Sequence, residues 1–197
     1  DYITENVDQN GDFKPGRFII HIQGPTNVSL LSEVTKNGSR WVRVKSEAIV
    51  PNIDFGHFMD TEMFNITLQS KFINNENCQA VLSVIGNITD STVSGFQDNG
   101  ITQSVTVKAG IQRVGKVNVP NPIELAPYRT FPEIEQPVSP FVLRMQSGRN
   151  EGDLPQAALF EADGTAWRLN AIQSIKKYFE EILPDELLSN GSIVIIA

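Results

Sequence analysis

Apolar residues recur at every second position in short runs of this chain, and tight-turn dipeptides separate the runs, so most of the core must come from β-strands. Phe18, Ile20 and Ile22 share one face of such a run, opposite Arg17, His21 and Gln23, and Gly24-Pro25 closes it. Residues 28–34 and 41–50 form two more, joined by Asn37-Gly38, the preferred chemistry of a two-residue hairpin. In the second of these, Val42, Val44, Ser46, Ala48 and Val50 alternate with Trp41, Arg43, Lys45 and Glu47, which predicts a half-buried antiparallel strand.

Phe64, Ile66, Leu68 and Phe72 also alternate with polar residues, and an Asn-rich turn at 74–77 leads to residues 78–85, so a second hairpin is expected. Residues 87–100 read as a long polar loop, and further strands are expected at 101–108, 111–119, 141–146, 157–160 and 166–169. Asp163-Gly164 would turn the last two into a hairpin. Six of the eleven prolines fall between 120 and 140, a density that forbids a helix or a central strand and predicts an extended crossing segment. One helix is expected at 170–183, with Ile172, Ile175, Tyr178, Phe179 and Ile182 on one face and Pro184 as its stop. Residues 193–196, wholly apolar, read as a strand buried on both faces. These features predict a mainly β fold, an antiparallel β-barrel or β-sandwich with one amphipathic helix near the C-terminus. Residues 1–16 would be a linker or arm, and 17–197 a single β-rich domain.

Composition limits function more than it assigns it. With 40% hydrophobic and 20% charged residues the chain is apolar enough to fold. A net charge of -7 argues against a nucleic-acid partner and against adsorption to anionic lipid. No apolar run approaches the roughly 20 residues that span a bilayer, so no membrane insertion is expected. A single cysteine, Cys78, rules out an internal disulfide; it is expected as a buried inert thiol in a protein made in a reducing compartment, the cytoplasm. The five Asn-x-Ser/Thr triplets, at Asn27, Asn37, Asn65, Asn87 and Asn190, are then chance products of an Asn-rich chain. The chain begins at Asp1 without an initiator Met, as expected of a processed product or an excised fragment.

Few residues suggest chemistry. Residues 8–12 start like a calcium loop, but Phe13 stands where the glycine is needed and Ile19 where the bidentate acid belongs, so a linker is expected and no metal. His57, near Asp54 and Asp60, is the one plausible general base; with a serine from elsewhere it would make a hydrolase, the enzymatic alternative. No Gly-x-Ser-x-Gly elbow accompanies it. Residues 95–100 carry two glycines without a phosphate-loop tail, so no nucleotide cofactor is implied. Glu180, Glu181, Asp185 and Glu186 read as a solvated surface rather than a glycosidic pair. No catalytic residue, cofactor or metal is therefore assigned. The candidate partner-binding residues are Phe55, His57, Phe58 and Phe96, which sit in loops where no periodic core face needs them.

Leu159-Phe160-Glu161, followed by Gly164, Trp167, Tyr178, Phe179 and Pro184, resembles the closing part of the protruding domain of calicivirus-type capsid proteins, where an "LFE" strand and an aromatic-rich segment recur. Capsid proteins of picorna-like insect viruses that carry a protruding domain are similar in kind. The resemblance implies a structural domain on the virion surface that contacts neighbouring capsid subunits or copies of itself and attaches to a host glycan or protein receptor. A phage or bacterial adhesion domain is the other non-enzymatic alternative.

Overall fold

The computed structural model describes Ile3 and residues 17–89, 92–98, 103–109, 113–118, 121–148 and 153–197. In chain order, β1 (Phe18–Gly24), β2 (Asn27–Val34) and β3 (Arg40–Glu47) come first. A two-residue strand, β4 (Met59–Asp60), leads into helices α1 (Thr61–Lys71) and α2 (Glu76–Thr89). Then follow β5 (Thr92–Asp98), β6 (Gln103–Ala109), β7 (Arg113–Asn118), β8 (Ile123–Leu125), β9 (Ser139–Gln146) and β10 (Gln156–Glu161). The order is completed by α3 (Trp167–Ile182), α4 (Asp185–Ser189) and β11 (Ile193–Ile196).

Two compact units divide these elements. Unit 1 comprises residues 1–50, 129–136 and 168–197; unit 2 comprises 51–128 and 137–167. Unit 1 holds one sheet of order β11-β1-β2-β3, and its core joins Phe18, Ile20, Ile22, Val28 and Leu30 to Ile175, Leu183 and Ile193. Strand β11 runs parallel to β1, whereas β2 and β3 pair antiparallel. Unit 2 holds a sheet of order β4-β10-β9-β8 and a separate sheet of order β5-β6-β7. Its core packs Phe64, Leu68, Phe72, Cys78, Val81 and Ile85 from α1 and α2, with the intervening segment, against Phe141, Leu143, Met145 and Leu159 of β9 and β10.

The fold is therefore β-rich and carries the expected C-terminal amphipathic helix. It is mixed α/β rather than mainly β, it has four helices among the described residues rather than one, and its sheets are not closed into a barrel. The expected hairpin of 64–72 and 78–85 is a helix pair. Phe64, Leu68 and Phe72 satisfy a four-residue spacing as well as a two-residue one, and only these become buried; Met63 and Ile66 each remain 52% exposed. The helical reading wins because each segment carries its own start signal. Asp60 Oδ1 accepts a hydrogen bond from the Met63 amide at 2.7 Å, and Asn75 Oδ1 accepts one from the Cys78 amide at 2.9 Å. Glu62 in the first turn and Lys71 in the last complement the dipole of α1.

Asp163 likewise starts a helix where a hairpin turn was expected. Its Oδ1 accepts from the Thr165 amide and its Oδ2 from the Trp167 amide, both at 3.0 Å, so 166–169 enters α3 instead of forming a strand. The expected loop at 87–100 holds the end of α2 and strand β5. Strand β11 is an edge: only Ile193 is buried, and Ile196 is 45% exposed, so it is not covered on both faces. Other expectations hold as local structure. The Asn37-Gly38 turn joins β2 to β3, with Gly38 at φ 78°, a conformation open to glycine without steric cost. The described part of the Pro-rich segment forms no helix and contributes the edge strand β8, but the expectation that it excludes a central strand fails at its end: Ser139 and Pro140 open β9, an inner strand, where a proline at the strand start costs little of the ladder.

Strand β3 departs from expectation in burial rather than in type. All eight of its residues are exposed, including Val42 and Val44 on the face expected to be half-buried. The register shifts between Leu30 and Leu31, so Val44 pairs with Leu30 but Val42 pairs with Leu31, and the simple alternation breaks there.

Candidate functional site

Of the candidate aromatics with described side chains, Phe55 and Phe58 pack against different neighbours. Phe55 turns into the core of unit 2, its ring 5.2 Å from that of Phe141 and 6.4 Å, edge-on, from that of Phe72. Phe58 is half-buried and lies edge-on to Phe160 at 6.3 Å, beside the exposed His57. Gly56, at φ 76°, donates its amide to the Leu159 carbonyl at 2.7 Å and so holds this loop on β10. Phe96 belongs to β5, where its backbone pairs with Val105; its side chain lies outside the described residues, as does the calcium-like stretch 8–12.

The catalytic alternative does not assemble among the described residues. His57 Nδ1 lies 3.1 Å from the Phe55 carbonyl oxygen, Asp60 caps α1, and Asp54 accepts from the Asn52 side chain at 3.3 Å. These three groups are thus committed to different local partners. Of the acids near α3, Glu180 and Glu181 form exposed pairs with Lys176 and Lys177 at 3.8 and 3.6 Å, an ordinary solvated helix face. Cys78 is 1% exposed, and burial raises the pKa of its thiol, which disfavours the reactive thiolate. Among the described residues no cluster of metal-ligating side chains occurs, and no helix is long and apolar enough to cross a membrane.

A concave site lies wholly within unit 1, where the inner face of its sheet meets α3. It is an apolar groove of about 500 Å³, a volume in the range of natural ligand sites. Ile20, Val28, Leu30 and Val44 form its floor, and Tyr178, Phe179, Ile182 and Leu183 form one wall. Ser29, Ser46 and Tyr178 supply hydroxyls, of which Ser29 Oγ already donates to Gln23 Oε1 at 2.9 Å. Ile3 completes the lining. Among the described residues that line the groove, none carries a carboxylate, imidazole, ammonium or guanidinium group. A smaller cavity of about 130 Å³ shares Val28, Ser46, Tyr178 and Phe179 with it and adds Phe131, Glu133 and Ile134.

The groove exists because α3 does not reach the sheet edge. Its apolar stripe of Ile172, Ile175, Tyr178, Phe179 and Ile182 is wider than the part it buries: only Ala171 and Ile175 are fully buried, and Ile182 is 52% exposed. The segment 129–136 is fixed beside it by Gln136, whose Oε1 accepts from the Arg129 and Thr130 amides at 2.9 and 3.2 Å. Gln136 Nε2 donates to the Phe131 carbonyl at 3.0 Å. The open side is β3, which no strand pairs on its outer edge among the described residues. This edge carries Arg40, Arg43 and Lys45, and Arg43 stacks over the exposed Trp41 ring at 5.7 Å.

Sequence reasoning found the helix stripe and the β3 residues but not the space between them. The sequence carries the apolar helix stripe and the valine- and arginine-bearing strand, but nothing local in it says that the two face one another. Comparison with protein-family models, curated proteins and solved structures finds no match to this chain.

Proposed function

We propose that this chain is a non-catalytic attachment and assembly module, whose groove in unit 1 receives an extended segment of a partner protein. The observation that carries this reading is an apolar groove of about 500 Å³, with no charged side chain among its described lining residues, opening toward a strand edge that no described strand pairs. Such an edge offers backbone hydrogen bonds to an added strand, and the groove offers a pocket for its alternate side chains. The basic residues of β3 favour a segment with acids between its apolar positions. The setting implied by the resemblance of residues 159–184 is the surface of a virus particle, where the segment would belong to a neighbouring capsid subunit, another copy of the chain or a host protein.

An array of short synthetic peptides probed with the full-length chain tests the proposal. The expected hits alternate apolar and acidic residues and vanish in Val44→Asp. Hits indifferent to Val44→Asp, or an esterase activity lost in His57→Ala, would overturn it.

A further inference from the structure

We propose that the outer face of the unit 1 sheet holds a separate binding site, in which Arg17 and Arg40 take the carboxylate of a small organic acid whose apolar body rests on Ile19, Val34 and Val194. The site does not depend on the groove, which lies on the opposite face of the same sheet.

Strand alternation sets the two faces apart. Ile20 lines the groove, so Ile19, its neighbour along β1, points the other way. Ile19 belongs to neither core, yet it is only 9% exposed, and it pairs with Val194 of β11. These two residues and Val34 line a concavity of about 380 Å³, whose remaining lining is Arg17, Glu33 and Arg40. The volume falls toward the small end of the range of natural ligand sites, which suits a small acid.

Both guanidiniums are positioned by backbone carbonyls rather than by acids. Arg17 Nε donates to the Gly191 carbonyl at 2.8 Å. Gly191, at φ 73°, adopts a conformation open to glycine, and a Cβ there would come within 3.4 Å of Arg17 Nη2. Arg40 Nη1 donates to the Ser32 carbonyl at 3.1 Å, where the register of β2 against β3 shifts between Leu31 and Val34. Among the described residues none of Arg17, Arg40 and Glu33 forms an ion pair. A guanidinium carries five N–H donors, so most of those on both arginines remain for a ligand.

Two like charges thus border one apolar floor without an acid bound to either. A carboxylate relieves that arrangement by accepting from both, in charge-assisted hydrogen bonds. Its hydrocarbon part would cover Val34, which is 52% exposed and has apolar surface to lose. Glu33 on the same rim limits the charge of the ligand, because it repels a dianion more strongly than a monoanion. The chemistry selected is therefore a monocarboxylate with an apolar body, not phosphate.

The test is an NMR titration of the full-length chain with 4-methylpentanoate, using 4-methylpentanamide as the uncharged control and inorganic phosphate as the multiply charged one. Saturable shifts are expected at Ile19, Val34 and Val194 and not at Val44 or Ile182, with a midpoint on the order of 1 mM for so few atoms. Arg40→Gln should weaken the acid about tenfold, since one charge-assisted partner is lost. Glu33→Gln should leave the acid bound and tighten phosphate, a gain that a damaged fold could not produce. Amide binding equal to that of the acid, an affinity unchanged in Arg40→Gln, or no saturable shift would overturn the proposal. Shifts at Val44 and Ile182 alone would overturn it too, by placing the acid in the groove. Acetyl-Gly-Leu binding more than tenfold tighter than the free acid would overturn the small-acid assignment in favour of a peptide C-terminus.

Discussion

Strands β9 and β3 carry the same kind of alternating sequence and meet opposite fates. In β9, Ser139, Phe141, Leu143 and Met145 are buried in turn, because α1 and α2 supply the apolar surface that covers them. In β3 every residue is exposed, because the strand lies at the sheet edge and α3 stops short of it. Alternation encodes two faces; it does not encode a cover. Where unit 2 spends its helices on closing a core, unit 1 leaves a groove.

The sharpest way to break this comparison is to truncate one side chain from each strand. Leu143→Ala, at a site with no exposed surface, should cost about 2–5 kcal/mol of unfolding free energy in denaturant titration. The cavity left in a closed core cannot collapse. A loss in the next class down is expected at Gln136, which is 5% exposed. Gln136→Leu strands the Arg129 and Thr130 amides and should cost about 2 kcal/mol, read by the same titration. Asp60→Ala removes the cap of α1 and should cost about 1 kcal/mol. Smallest is Val44→Ala, which should change stability by less than about 1 kcal/mol, since the side chain is already partly in water. A Val44→Ala loss as large as that of Leu143→Ala would mean β3 is covered after all.

Much of the fold was legible because its signals are local. The Asn37-Gly38 hairpin, the strands that became β1, β2, β9 and β10, and the apolar stripe of α3 follow from turn chemistry and period alone. The helices α1 and α2 were obscured because Phe64, Leu68 and Phe72 fit both periods, and the caps that decide between them, Asp60 and Asn75, sit outside the apolar runs. Phe55 has no periodic core face in its own segment, yet it fills one contributed by Phe72 and Phe141, far from it in sequence. The groove was out of reach for a similar reason. It depends on how far α3 extends over a sheet built from residues more than a hundred positions earlier, and on a register shift at Leu30 and Leu31 that no local pattern announces.

A methyl NMR titration with a short peptide of alternating isoleucine and glutamate tests the groove most directly. The account predicts saturable shifts confined to methyls that line the groove, those of Ile20, Val28, Leu30, Val44, Ile182 and Leu183, with the methyls of Leu143 and Val81 unmoved. Shifts centred on the core of unit 2, or none at concentrations that saturate the strongest peptides of the array, would contradict it.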